Sequence, residues 1–232
     1  MDGIIIINKE KEYTSHDVVA KLKKKLNISK VGHTGTLDPE ATGVLPICIG
    51  RATKIIDYIM DSEKVYEVTL KLGIRTTTYD LEGEVLEERD PSHLTEEEIL
   101  NAINSFKGEY SQIPPMYSAL KQNGVRLYEL ARKGIEVERK GRLVNIYNLE
   151  DIKINNPYIS MKVACSKGTY IRSLCYDIGE KLGVFATMTQ LNRAKTSVFS
   201  QEKSININEL TKENINDYIL SMEEALEKYD KI

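Results

Sequence analysis

Cysteine and histidine are both scarce in this chain, three of each in 232 residues. Cys48, Cys165 and Cys175 are odd in number and far apart, so neither a disulfide framework nor a zinc site is indicated. They read as reduced, mostly buried thiols. His16, His33 and His93 make no His-x-x-x-His pattern, so metal catalysis lacks support and no metal or cofactor is expected. Long apolar runs are missing as well; none approaches the roughly 20 residues of a membrane helix. The start, M-D-G-I-I-I-I-N-K, has neither the basic region nor the longer apolar stretch of a secretory signal. A cytoplasmic protein without membrane contact is therefore expected. There is no internal repeat, low-complexity tract or clear linker, and the one candidate boundary falls near residue 200.

What is present fits a globular chain with room for a sizeable core: 41% hydrophobic and 29% charged residues. A net charge of −3 argues, at face value, against a nucleic-acid partner. The distribution argues otherwise. Lysine and arginine cluster at 21–30, 121–134 and 138–142, while acids concentrate at 80–98 and after Ser200. Local potential, not the sum, sets a binding face, so a basic face on an acidic chain can meet a polyanion.

The most unusual stretch is G-H-T-G-T-L-D-P-E-A-T-G-V-L-P (32–46). Taken alone, L-D-P is an ordinary turn. Three glycines, two prolines and the polar His33, Thr34 and Thr36 around it point instead to a site built to hold Asp38 out on irregular backbone. Aspartate is a carboxylate at neutral pH and needs no base to activate it.

Around that loop the chain reads as a buried strand at 3–8, a helix capped by Ser15 with Val19, Leu22 and Leu26 inward, and a strand at 44–50. In 64–73 the alternation turns Tyr66, Val68, Leu70 and Leu72 to one face. A strand end and turn follow at 75–85, and Thr95 with Glu98 predicts a capped helix over 96–106. Pro114 and Pro115 exclude helix at the start of 112–121, and 121–142 combines basic residues with Tyr128 as an arm suited to a polyanion. Paired strands are expected at 142–150 and 158–166. A helical stripe of Ile171, Leu174, Cys175, Ile178 and Leu182 leaves Arg172 in the first turn, off the core face, either at the surface or facing a loop carboxylate. An acidic amphipathic tail ends the chain.

Residues 32–54 closely resemble the catalytic motif of the TruB family, the bacterial tRNA pseudouridine-55 synthases. The resemblance continues in family order through the strand of Tyr66, L-G-I-R-T-x-T (72–78), Q-I-P-P-M-Y-S-A-L-K-Q-N-G (112–124), Y-E-L-A-R-K-G (128–134) and C-S-K-G-T-Y-I-R-S-L (165–174). It implies an α+β protein with the pseudouridine synthase fold: a mixed, largely antiparallel sheet flanked by helices and loops. By resemblance Asp38 is the nucleophile, Tyr66 stacks on the target base and takes part in proton transfer, and Arg172 pairs with the aspartate. Leu191 packs against that site, His33 helps hold the nucleotide out of its stack, and Tyr170 and Lys9 occupy matching positions. The implied catalytic domain is 1–200 with its basic arm at 121–142, followed by a short acidic tail, 201–232, with no complete PUA domain. The implied partner is tRNA, gripped through its T arm by a monomer. Three departures stand out: Thr77 where the family commonly has Asp, Leu191-Asn192-Arg193 where it has two arginines after the leucine, and a glycine missing from K-T-S-V-F. Rival readings are a non-catalytic tRNA-binding or folding protein, a synthase of the same family acting on another RNA, and a glycosidase using Asp38 and Glu40.

Overall fold

Four consecutive isoleucines fix the centre of the first structural unit. Ile4 to Ile7 lie in strand β1 (Gly3–Lys9), and all four are buried. Successive side chains of a strand point to opposite faces, and here both faces are covered. Ile5 and Ile7 join an apolar cluster with Leu22, Leu37 and Leu45, while Ile4 and Ile6 join another with Ala52, Ile59 and Phe199. Double burial explains why the run shows no polar alternation. At about 1.5–3 kcal/mol per buried isoleucine, the four contribute roughly as much as the net stability of a typical domain.

The computed structural model describes residues 1–229, in two units of closely contacting residues. One comprises Met1–Glu67 and the chain from Leu191 onward; the other is Val68–Gln190. In the first, helix α1 (Ser15–Leu26) follows β1 and buries Val18, Leu22 and Leu26. Its cap is Thr14, one residue before the expected Ser15. The Thr14 hydroxyl accepts from the Asp17 amide at 3.0 Å, and the Asp17 carboxylate accepts from the Thr14 amide at 2.9 Å. Lys23, Lys24 and Lys25 complement the helix C-terminus, where Asn27 turns left-handed at φ 55°. Strands β2 (Val31–His33) and β3 (Thr42–Ile49) bracket the glycine-rich loop, and β3 pairs antiparallel with both β1 and β2. Helix α2 (Ile56–Met60) leads into β4 (Lys64–Leu72), along which the chain passes into the second unit.

There, β5 (Ile74–Thr76) and β6 (Val85–Glu88) form a hairpin, and helix α3 (Glu96–Asn104) starts at the Thr95–Glu98 capping box as the spacing predicts. Strand β7 (Gly108–Gln112) precedes the two prolines; the basic arm then holds a small hairpin, β8 (Lys121–Gln122) with β9 (Val125–Arg126), and a short helix α4 (Leu127–Ala131). Strand β10 (Arg142–Asn155) pairs antiparallel with β11 (Tyr158–Cys165) on one side and β7 on the other. Helix α5 (Ile171–Leu182) buries Ile171, Leu174, Cys175 and Ile178. Arg172 is buried with them, 5% exposed, so the reading of a first-turn arginine off the core face gives way. Carbonyl and carboxylate groups of this unit receive it.

Strand β12 (Ala186–Thr196) returns the chain to the first unit at Leu191 and runs parallel to β3, Asn192 opposite Thr42 and Arg193 opposite Gly43. Beyond β13 (Phe199–Ser200), the acidic segment presents Glu202, Glu209 and Glu213 to solvent and lays Ile205, Ile207, Leu210 and Ile215 into the cluster of Ile5 and Ile7. Strand β14 (Ile219–Leu220) adds to β1, and helix α6 (Met222–Tyr229) follows. The strand order is β14–β1–β3–β12 in the first unit and β4–β11–β10–β7 in the second. With antiparallel pairs and the parallel β3–β12 pair, the fold is α+β on mixed, largely antiparallel sheet, as expected. All three cysteines are free and buried. No helix among the described residues is long and apolar enough to cross a membrane.

Candidate active site

In the first unit, the loop between β2 and β3 is braced at almost every residue. Thr34 donates its amide to the Pro46 carbonyl at 3.1 Å. Gly35 sits at φ 125°, a conformation that suits glycine, and gives its amide to Nδ1 of His33 at 3.3 Å. Leu37 is buried in the core cluster, its amide donating to Oγ of Ser15 at 2.9 Å. Ser15 is thus a fully buried anchor inside α1 rather than its cap. One residue later comes Asp38, half-buried and non-helical. Its carbonyl accepts from Ala41 at 3.1 Å, and the next carbonyl, of Pro39, accepts from the Glu12 amide at 3.0 Å and from Nζ of Lys9 at 2.9 Å.

Two buried cations flank this loop. Lys9 is 1% exposed and donates to the carbonyls of Glu10, Tyr13 and Pro39 at 2.9, 2.7 and 2.9 Å. Three acceptors match the three hydrogens of an ammonium group. Burial pushes the Lys9 amine down to about 8, against the opposing pull of Asp38 and Glu40, so at neutral pH it is still charged. Arg193, also 1% exposed, donates Nε to Val44 O at 2.8 Å and a terminal nitrogen to Gly35 O at 3.1 Å. Gly43 lets β12 come this close: a Cβ there would stand 2.3 Å from the Arg193 carbonyl oxygen. Burial, His16 and Arg193 together hold the His33 imidazole down to about 4, so it is neutral when it accepts from Gly35. Tyr66 and Leu191 pack, partly buried, against the cluster that contains Leu37. Lys9, His33, Asp38, Tyr66 and Leu191 therefore belong to one unit, organised on one core.

Tyr170 and Arg172 belong to the other. Arg172 donates to the carbonyls of Thr78 at 3.2 Å and Tyr117 at 2.8 Å, and stands 3.5 Å from a carboxylate oxygen of Asp80. Asp80 is itself buried, accepting from the Thr78 hydroxyl and from the Glu82 amide at 3.1 Å. Thr77, the departure from the family pattern, closes the same turn by accepting from the Glu84 amide at 3.1 Å. The basic arm exposes Lys121, Arg126, Arg132 and Lys140, and places Arg126 and Arg132 over the Tyr128 ring at 5.8 and 5.4 Å.

Sequence reasoning missed Asp80 and the parts played by Ser15 and Arg193. The signal for Arg193 was its place two residues beyond Leu191, on the same face of one strand. Among the described residues, no group of three or more His, Cys, Asp or Glu could hold a metal ion.

This architecture is that of the pseudouridine synthases. It matches, over 97% of the chain, a chain in the crystal structure of a Cbf5–Nop10–Gar1 complex with TM-score 0.76 and 31% identity. A chain in the structure of an H/ACA RNP bound to a substrate RNA containing 2'-deoxyuridine matches with TM-score 0.73 and 28% identity. The present chain spans 62% and 61% of those two. Residues 23–171 match the N-terminal domain model of the TruB family pseudouridylate synthases, and residues 172–227 match the model of the tRNA pseudouridylate synthase B C-terminal domain. The chain belongs to the TruB family. Proteins named tRNA pseudouridine synthase B from Clostridium perfringens (strain SM101 / Type A) and Clostridium tetani (strain Massachusetts / E88) are 63% and 61% identical over its whole length, which spans 79% and 80% of theirs.

Proposed function

We propose that this enzyme isomerises the T-loop uridine of tRNA, position 55, to pseudouridine, with Asp38 as the nucleophile. The observation that carries the reading is the bracing of the Asp38 loop. Ser15, Lys9 and Arg193 hold the backbone on both sides of a half-buried carboxylate, the pre-organisation a reacting group needs. The names of the full-length relatives supply the substrate class.

The reaction breaks the N1–C1′ bond, turns the uracil and rejoins it through C5 to C1′. No water is delivered and the leaving group is recaptured, so the second carboxyl group of a glycosidase is not required. Tyr66 stacks on the base and takes part in proton transfer. Leu191 packs beside the reacting carboxylate, and Arg172 carries the guanidinium that the matching family motif assigns to the chemistry. The target lies in a stacked arm and must be flipped out, at a cost of a few kcal/mol. His33, kept neutral, helps hold it out, Lys9 braces the Asp38 loop, Tyr170 serves nucleotide binding as its matching family position does, and the 121–142 arm offsets the cost through phosphate contacts and stacking.

The test is to incubate the protein with unmodified tRNA transcript and map pseudouridine by carbodiimide-based primer extension. One modification in the T loop, lost when the T arm is substituted, is the expected result. Asp38→Asn should abolish isomerisation while tRNA binding stays within about twofold; measurable turnover by that variant removes the nucleophile assignment.

A further inference from the structure

The proposed mechanism leaves unused a glutamine that is almost sealed inside the second unit. Gln112, the last residue of β7, is 1% exposed. A buried amide is costly unless both its ends are hydrogen-bonded, and here both ends meet the same residue. Its Oε1 accepts from the Tyr170 amide at 2.8 Å, and its Nε2 donates to the Tyr170 carbonyl at 3.0 Å. Nε2 also donates to the hydroxyl oxygen of Tyr110. A peptide N–H can only donate, so the orientation of the amide follows from its partners.

Tyr170 is the N-cap of α5 and has no side-chain capping bond of its own. The amide of an N-cap residue is often met by a Glu or Gln three residues further on. In α5 that position is Ser173, and its hydroxyl donates elsewhere, to Ile113 O at 2.8 Å. Gln112 provides, from a neighbouring strand, what the helix's own sequence does not. The Tyr170 carbonyl also receives the first helical bond, from Leu174 at 3.1 Å, so Gln112 grips the peptide groups on which the helix is nucleated. The same strap holds the rest of the first turn: Ile113 takes Ser173, and Tyr117 takes Arg172 at 2.8 Å. Between them Pro114 and Pro115, both buried, stiffen the backbone.

We propose that Gln112 is a positioning residue for the reaction. Without touching substrate, it fixes the start of α5 and so aims Tyr170 and the Arg172 guanidinium. The proposal rests on the reading that Arg172 serves the chemistry. A displacement of about 1 Å at a reacting group costs on the order of 100-fold in rate.

The experiment compares single-turnover rates on unmodified tRNA transcript for the parent, Gln112→Met, Arg172→Lys and the double variant, with transcript affinity from filter binding and folding from circular dichroism. Gln112→Met keeps length and apolar volume but loses both hydrogen-bonding ends. Its rate should fall about 10- to 100-fold with affinity within about twofold, and in the Arg172→Lys background it should cost less than about twofold, because the two act through one geometry. A parent-like rate for Gln112→Met, or an equal loss in both backgrounds, overturns the proposal. A parent-like rate for Arg172→Lys removes the Arg172 reading and, separately recorded, this proposal with it. Should Gln112→Met fail to fold, Tyr110→Phe removes the hydroxyl that accepts from Nε2 of Gln112. It should lower the rate about three- to tenfold in the parent and not in Arg172→Lys; an unchanged rate overturns the proposal.

Discussion

At the scale of single residues, His33 and Asp177 pull the stability profile in opposite directions. The His33 pKa lies near 4 in the folded chain against an ordinary 6.5. As pH falls from 6.5 to about 4 the unfolded chain takes up a proton that the folded site refuses, so this residue makes stability drop on acidification. Asp177 is raised to about 7 from 3.8, first by burial and then by Glu180. The folded state keeps a proton that the unfolded chain loses, so its contribution is present at low pH and disappears as pH rises from 3.8 towards 7. Urea melts between pH 4 and 7 should therefore show a shallower acid-side loss for His33→Gln and a steeper one for Asp177→Asn than for the parent. His33 and Asp38 stood out in the sequence because glycines and prolines set them apart. Asp80 did not: inside Y-D-L-E-G it looks like any turn acid, and its cationic partner lies far along the chain, where only the folded unit brings Arg172 to it.

At the scale of elements, the α1 start and the basic arm carry the clearest consequences. Both Thr14 and Ser15 can cap a helix, and a reading that stops there picks the wrong one. Capping-box spacing decides it, since three residues beyond Thr14 is Asp17 whereas three beyond Ser15 is Val18. Ser15 is thereby left to hold Leu37. Ser15→Ala leaves the buried Leu37 amide without this acceptor and should cost about 1–3 kcal/mol in urea unfolding, with a fall in isomerisation rate as the Asp38 loop loosens. Regular periodicity made α3, α5 and the β10–β11 pair legible. The burial of Arg172 was not, because periodicity counts apolar side chains and an arginine enters a core only where carbonyls and a carboxylate await it. For the arm, exchanging Lys121, Arg126 and Arg132 for alanine should reduce the slope of log affinity against log salt by about 2–3, measured by filter binding to tRNA. An unchanged slope assigns phosphate binding elsewhere.

At the scale of the whole molecule, the division into units was invisible in composition. The crossings after Glu67 and after Gln190 both fall inside strands, β4 and β12, with no glycine, proline or change of charge to mark them. The acidic character of the C-terminal segment was legible; its role in the core was not, since four apolar residues spread over 205–215 make no strong period. Ile205, Ile207, Leu210 and Ile215 complete the cluster that surrounds Ile5 and Ile7. At about 1.5–3 kcal/mol each, their loss matches the net stability of a typical domain. A protein shortened to residues 1–200 should therefore fail to show cooperative thermal unfolding by circular dichroism.

The first unit joins residues 1–67 to the segment from Leu191 onward, with β1 in the middle of it and β14 on its edge. Synthesis runs from the N-terminus at about 5–20 residues per second, and the order of arrival therefore matters. The second unit is continuous in sequence, so its parts emerge from the ribosome together. The unit of Asp38 has to wait: until Arg193 emerges, Gly35 lacks its guanidinium brace, and until the residues near 205–220 follow, β1 has an open edge. A nascent chain thus carries Asp38 for some time without the frame that braces its loop, and isomerisation by ribosome-bound chains should appear only once the residues near 205–220 have emerged.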